Sequence, residues 1–457
     1  MSTHRLTVDA FRGITFQLEL TSEGGGGVTL TTNDGGSGGT LAFVQKGKLT
    51  FWDTSSSLVI NGAAHILAND IGTMAAQIAA NPSGAFALGR GYDASVDGTY
   101  ALAPIRTAFS GTLNGLGHAI TNLKIQNDRR SHGYDGLFET IAAGGRVSDL
   151  GFIAASVISN GRGSRLGILA SSNAGTVENV SAAGAVSMGA RFGNAGGLVG
   201  SNTGAILHSH SSGTVAAPGV QGNAAGLVAL NSGTVGQSSS SATVTGNYEV
   251  CGLVANNSGT VTQSFATGAA SILQIENSDH WSAGLVCINT GTIGQSFATG
   301  NVQAAYGKEG ESSSFTAFGG GLVGHNDLGA TIQDSYATGS VDAQGNDAIG
   351  GLVGQSSGTI ETSYATGAVT AAPLDGGLIG DFEDGGDPNT DTYWDTDKSG
   401  VTNLAQGTGN VANAPGITGL STAQLQSGLP GGFSSAVWGE STGINGGLPY
   451  LLANPPQ

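Results

Sequence analysis

The sequence predicts an all-β fold, a parallel β-helix closed by short capping helices, and three observations carry that reading. The first is composition. The 457 residues include 80 glycines, 10 prolines and only 10% charged residues. That much glycine without a G-X-Y period excludes collagen, and regularly placed Val, Ile and Leu argue against a disordered chain. The second is a repeat: apolar tetrads of the type GLVG begin at Gly167, Gly197, Gly226, Gly252, Gly284, Gly321, Gly351 and Gly377, 26 to 37 residues apart. The third is a constant order inside each unit. A short apolar strand leads to an Asn-x-Gly turn, then to a strand T-[IV]-x-x-S-x-A-T-G, a third short strand around a Val, and a connector of variable length.

Three strands of three to six residues separated by tight turns make one coil, and stacked coils let each strand hydrogen-bond to its copy in the next. The interior is then a column of like side chains, Leu198, Leu227, Leu253, Leu285, Leu322 and Leu352, repeating at about 4.8 Å. A helical repeat is disfavoured, because no ten-residue stretch of the units has a 3.6 period and Gly, Val and Thr are too abundant. About 28 residues per coil gives a dozen or more coils and a rod on the order of 60 to 70 Å.

Asn173, Asn202, Asn231, Asn257, Asn289 and Asn326 fall in the same turn of six units. Asn tolerates the left-handed backbone such a turn needs, and stacked amides can bond from coil to coil. Phe265, Phe297, Tyr336 and Tyr364 form an aromatic stack that reads as packing before it reads as a carbohydrate platform. Residues 1–105 read as irregular coils and a cap with a helix near 70–80, N-capped by Asp70 and stopped at Asn81-Pro82. Residues 106–380 read as the repeat β-helix and 381–457 as a C-terminal cap. In that cap Ser421–Ser427 is a short helix candidate, and Tyr393, Trp394, Phe433, Trp438 and Tyr450 plug the last coil.

The units [AG]-G-L-V-G-x-N-x-G-x-I-x-x-S-x-A-T-G resemble the GLUG repeat. The flanking segments NPSGAFALGRGYDAS, FSGTLNGLGHAITNLKI and TYWDTDKSG resemble pieces that accompany it in filamentous-haemagglutinin-like bacterial exoproteins of the two-partner secretion type. The resemblance covers nearly the whole chain. It implies a right-handed β-helix, a secreted or surface-attached adhesin, and an outer-membrane secretion partner, although the export domain of such proteins is not evident in the sequence.

The net charge of -17 excludes nucleic acid or an anionic membrane as a general partner. No run of eighteen apolar residues offers a membrane-spanning helix. The start MSTHRLTVDAFRG lacks a signal-peptide pattern, which favours a fragment whose export signal lies upstream.

Ligand contacts are expected in the variable connectors. Three successive connectors hold Arg129, Arg130, Arg162, Arg165 and Arg191, and stacking would put these on one edge. Guanidinium groups there could dock an acidic glycan or an acidic protein segment; alternatively they pair with Asp128, Asp135 and Asp149. Two longer connectors carry Glu276, Asp279, His280, Trp281, Tyr306, Glu309, Glu311, Phe315 and Phe318, of which Trp281 and Tyr306 are the candidates for sugar or protein contact.

No catalytic residue and no cofactor is expected. A β-helical lyase or hydrolase acting on acidic polysaccharide is the alternative, with Glu139, Asp149 and Arg162 as its conceivable groups, and a ligand-free spacer of a larger exoprotein is the second. His208 and His210 fill slots held by Gln, Ser or Phe in other units and so read as repeat variation instead of a zinc pair. Asp395, Asp397 and Ser399 open a Ca²⁺-loop pattern whose twelfth position is Gln406 instead of Glu. Finally, Cys251 aligns with Ala283 and Cys287 with Ala255. Counted along adjacent strands the two cysteines lie on the order of 13 Å apart, which predicts two free thiols.

Overall fold

The computed structural model describes residues 4–456 except 37, 129–132, 190, 274–278, 305–316, 344–347, 371, 373 and 384. It is a parallel β-solenoid of about 13 turns. A coil from the middle shows how the repeat folds. Strand Asn223–Ala225 ends at the bend Gly226-Leu227, strand Val228–Asn231 follows, a turn leads to Thr234–Gly236, and a left-handed residue, Gln237, leads to Ser239–Ser240 and Thr243–Gly246. Stacking these four segments produces four sheets, here termed a, b, c and d in chain order, of 9, 9, 15 and 18 strands.

Leu198, Leu227, Leu253, Leu285, Leu322, Leu352 and Leu378, one at each bend, are wholly buried in a single continuous core. The glycine before each of these leucines is sterically required. A Cβ on Gly252 would sit 1.9 Å from the carbonyl oxygen of Gly284 in the next coil, and one on Gly321 would sit 2.1 Å from that of Gly351. The ATG glycines do the same on sheet d, where a Cβ on Gly300 would lie 2.0 Å from the oxygen of Gly268. The glycine content therefore reports columns of close backbone approach.

The asparagine ladder stands at the corner between sheets b and c. Asn173 Nδ2 donates to Asn202 Oδ1 at 2.7 Å, and the chain continues through Asn231, Asn257 and Asn289 to Asn326 at 2.8 to 2.9 Å. These asparagines do not have the left-handed backbone expected of them. The left-handed residues occupy the corner between c and d: Asp149, Asn179, His208, Gln237, Gln263, Gln295, Asp334, Thr362 and Asp391. The asparagines hold their turns with side chains alone, those from Asn173 to Asn289 each donating also to the carbonyl two residues on. Beyond the left-handed corner runs a buried serine ladder: the Ser209 amide donates to Ser238 Oγ, Ser238 to Ser264, and Ser264 to Ser296, at 3.1 to 3.2 Å.

At the N-terminal end the chain reverses. Strands Arg5–Asp9, Gly27–Thr31 and Ser57–Ile60 are mutually parallel, but Ser57–Ile60 pairs antiparallel with Ala63–Ala68 through Asn61-Gly62, both at positive φ. Residues 5–60 thus form a small roll whose strands run opposite to the rest of sheet c. Its own core, built on Leu30, Leu49, Phe51 and Leu58, includes Leu67 and Ala87, while their neighbours Ala68, Phe86 and Leu88 belong to the main core. Leu67 and Ala87 thus face the roll, which sits on the outer face of sheet c, while Ala68, Phe86 and Leu88 face the main core. The helix Ile71–Ala80, N-capped by Asp70, seals the end of the main core with Ile71, Met74 and Ile78.

At the other end a short helix, Thr422–Leu425, carries a capping box from Ser421 and Gln424. Trp394 lies inside the core and donates to the Val401 carbonyl at 3.1 Å. Phe433 and Trp438, expected as a plug, instead cover the aromatic stack on the outside of sheet d. Phe265, Phe297, Tyr336 and Tyr364 stack at 4.9 to 5.1 Å, and the last three are buried, so this stack is packing and presents no open platform at those three rings.

Candidate functional site

Arg162, Arg165 and Arg191 meet in the connectors between sheets d and a. The Gly163 amide donates to the Arg191 carbonyl at 3.0 Å. Arg165 heads a strand that pairs with Tyr134–Asp135 on one side and with Asn194–Gly196 on the other. The Arg162 guanidinium lies 4.9 Å from the Phe192 ring and that of Arg165 lies 5.9 Å from Tyr134. Both rings are exposed, Phe192 by 44% and Tyr134 by 41%. Phe192 has φ 59, a strained conformation for an aromatic residue, so the connector holds this ring outward at a cost of about 1 to 3 kcal/mol.

The acidic partners that might neutralise this edge are engaged elsewhere. Among the described residues the ion pairs are Arg106 with Glu139 and Arg146 with Glu178, so Arg162, Arg165 and Arg191 have none. Asp128 accepts from Gln126 and Asn160, Asp149 from Asn114 and Asn179, and buried Asp135 from Asn127. Arg129, Arg130 and Tyr306, which the sequence grouped with these candidates, lie outside the described residues, as do Glu276, Glu309, Glu311 and Phe315.

Trp281 is placed differently. It lies between Glu249 and Phe318 in the register of sheet a, stacks on Phe318 at 6.2 Å and meets the edge of Tyr248 at 5.8 Å. Its indole Nε1 is buried without a hydrogen-bond partner among the described residues. Glu249 is 4% exposed; burial pushes its carboxyl up to about 8, against the opposing effect of Asn256, whose Nδ2 donates to it. This neighbourhood is half closed by its own packing.

Trp281 also packs over Cys251 and Cys287, which form a disulfide with their Cα atoms 5.5 Å apart, so the expectation of two free thiols was wrong. The count along the strand assumed extended backbone, but the chain bends at Gly252-Leu253. Across that bend a residue at the end of sheet a faces the fourth residue beyond its equivalent in the next coil. In other coils the same two positions hold only small residues: Ala225 and Ala255 in the coil before, and further on glycines, where a Cβ on Gly320 would lie 2.8 Å from the Gly354 nitrogen and one on Gly350 2.7 Å from that of Gly380. The repeated small residues flanking GLV were the available signal.

The acidic loop at 395–399 has its carboxylates occupied. Asp395 is fully buried and accepts from the amides of Asp397 and Lys398 and from Thr422 Oγ1, while Asp397 accepts from the Thr422 amide at the start of the short helix. The loop thereby fastens the C-terminal segment to sheet d. No cluster of three or more His, Cys, Asp or Glu side chains suited to a metal occurs among the described residues. Glu139, Asp149 and Arg162 stand on sheet b, at the corner between c and d, and in a d-to-a connector, so they do not share a groove. His208 belongs to the left-handed corner with Gln237, and His210 is in register with Ser181 and Ser239.

These features define a parallel β-solenoid whose coils are closed by internal ladders and whose connectors carry the outward chemistry. The family model of the GLUG motif matches residues 319–342 and 345–370. The first segment runs from sheet a through sheets b and c to the end of strand Val341–Asp342 in sheet d, which is one coil. Over 86 residues the chain is 38% identical to halomucin of Haloquadratum walsbyi, a stretch that makes up 19% of this chain and 1% of that protein.

Proposed function

We propose that the chain is a non-catalytic binding rod of a secreted or cell-surface protein, an adhesin-type solenoid that contacts acidic glycan or protein through the arginine and aromatic edge. The observation that carries this is the pair of exposed stacks, Arg162 on Phe192 and Arg165 on Tyr134, with no carboxylate among the described residues paired to either arginine. Arginine and aromatic residues are the types that dominate binding energy at interfaces, and an unpaired guanidinium retains its donors for a bidentate carboxylate or sulfate. A disulfide in a chain with two cysteines supports an oxidising destination. The likeness to halomucin supports a surface or extracellular setting, and export through an outer-membrane partner belongs to the same reading.

The test is binding of the whole chain to heparin and polyuronate on an array. Replacing Arg162, Arg165 and Arg191 together by Ser should abolish retention, and unchanged binding would overturn the proposal.

A further inference from the structure

Where the N-terminal roll sits on sheet c, a groove of about 730 Å³ opens between the two. Its floor is the outer face of sheet c: Ala85, Thr112, Asn114, Arg146, Ser148 and Glu178 project from four successive strands, with His65 before them and His208 beyond. At about 4.8 Å per strand, the floor from His65 to His208 is on the order of 20 to 25 Å long. Its wall is the roll segment Gly38–Ala42 with Ile60 and Asn61. A second depression of about 310 Å³ continues around the corner onto sheet d, lined by Phe43, Lys48, His118 and Ile153, and the two share Asp149 and Asn179.

We propose that this bent groove binds a linear, uncharged, polyhydroxylated ligand, a neutral oligosaccharide strand, at a site separate from the arginine edge. The fixed charges of the lining balance: Arg146 is paired with Glu178, and Lys48 and Asp149 both line the second depression, so neither a polyanion nor a polycation is favoured. Polar groups line its length: the hydroxyls of Thr40 and Thr112, the amide of Asn179 and the imidazoles of His65 and His208, while Asn61 with Thr32 and Asn114 with Ser148 are bonded to each other beneath them. His65 Nδ1 is committed to the Ala63 carbonyl at 3.0 Å, and its ring is kept neutral by burial, which lowers its pKa; its Nε2 remains for a hydroxyl. Phe43, held on Phe16 at 5.1 Å, and Ile153, 53% exposed, supply apolar surface for the face of a sugar ring.

Titration calorimetry of the whole chain with cellohexaose, maltohexaose and chitohexaose, and with hexagalacturonate as the charged control, tests this. At least one neutral hexamer should bind and hexagalacturonate should not bind at this site. Thr112→Trp, which fills the floor from the solvent side, should weaken the neutral hexamer by more than about tenfold, and Arg146→Ala should weaken it as well, keeping the test decisive if the tryptophan variant does not fold. Replacing Arg162, Arg165 and Arg191 by Ser should leave hexamer binding unchanged. Absence of heat with all three neutral hexamers at millimolar concentration, or binding indifferent to both groove variants, would overturn the proposal. Retention on heparin or polyuronate, lost only in the arginine variant, reports on the edge alone.

Discussion

Two corners of the same coil follow opposite rules. Between sheets b and c one residue type, asparagine, recurs six times and is buried; between c and d the corner residues are Asp149, Asn179, His208, Gln237, Gln263, Gln295, Asp334, Thr362 and Asp391, all with φ of 42 to 57°. At the first corner the side chain points inward and completes a hydrogen-bonded column, so another residue would break the column above and below it. At the second corner only the backbone conformation repeats. Side chains there face outward and vary, and the groove beside the N-terminal roll is built from three of them, Asp149, Asn179 and His208.

The third corner, the bend between a and b, gives the largest effect. Replacing Cys251 and Cys287 together by Ala restores the small residues found there in other coils and opens a crosslink spanning 36 residues, which should cost about 4 kcal/mol. The urea midpoint should fall, and that of the native protein should fall equally on reduction. Next comes Asn257→Ala. It breaks the buried column in both directions, removing the bond from Asn231 Nδ2 and the bond to Asn289 Oδ1 together with those to the Gly259 and Thr292 carbonyls, and should cost about 2 to 4 kcal/mol. By contrast Gln263→Asn at the outer corner loses one partly exposed bond to Gln295 and gains a residue better suited to the left-handed region. Its midpoint should move by no more than about 0.5 to 1 kcal/mol. Equal costs at Asn257 and Gln263 would erase the distinction between the corners.

Glu249 sharpens the comparison by showing an ionisable residue on the closed side of a bend. Its folded pKa is raised from 4.5 to about 8 by burial, so the folded state holds the proton that the unfolded state releases. The stability contributed by the neutral acid is complete below about pH 4.5 and is lost as pH rises through about 8. Glu249→Gln should flatten this decline, raising the melting temperature relative to the native chain at pH 8 to 9 and leaving it nearly unchanged at pH 4.

The coil period, the leucine column and the asparagine ladder were legible because each repeats at fixed positions and buries one side-chain type. The disulfide was not, since it depends on a bend that a count of extended residues flattens, although Gly320, Gly350 and Gly354 recorded the close approach. The reversal at residue 60 escaped the reading too, despite a sufficient signal: Asn61-Gly62 between SLVI and AAHILA is the pattern of a two-residue hairpin. Of the site, the shared edge of Arg162, Arg165 and Arg191 followed from stacking connectors. Their aromatic neighbours did not, because Phe192 reaches Arg162 through a left-handed turn that its residue type does not advertise. The groove was illegible because it joins residues near 40 with residues near 149 and 178, and only the reversed roll brings them together.

The stacking register decides which side chains are scaffold and which face outward, and the two cysteines report on it directly. Peptide mapping without reductant, on protein folded under oxidising conditions, should yield one crosslinked species joining the peptides that contain Cys251 and Cys287. Recovery of both residues as alkylated free thiols from the folded protein would contradict the bend that brings the end of sheet a against the start of sheet b in the next coil.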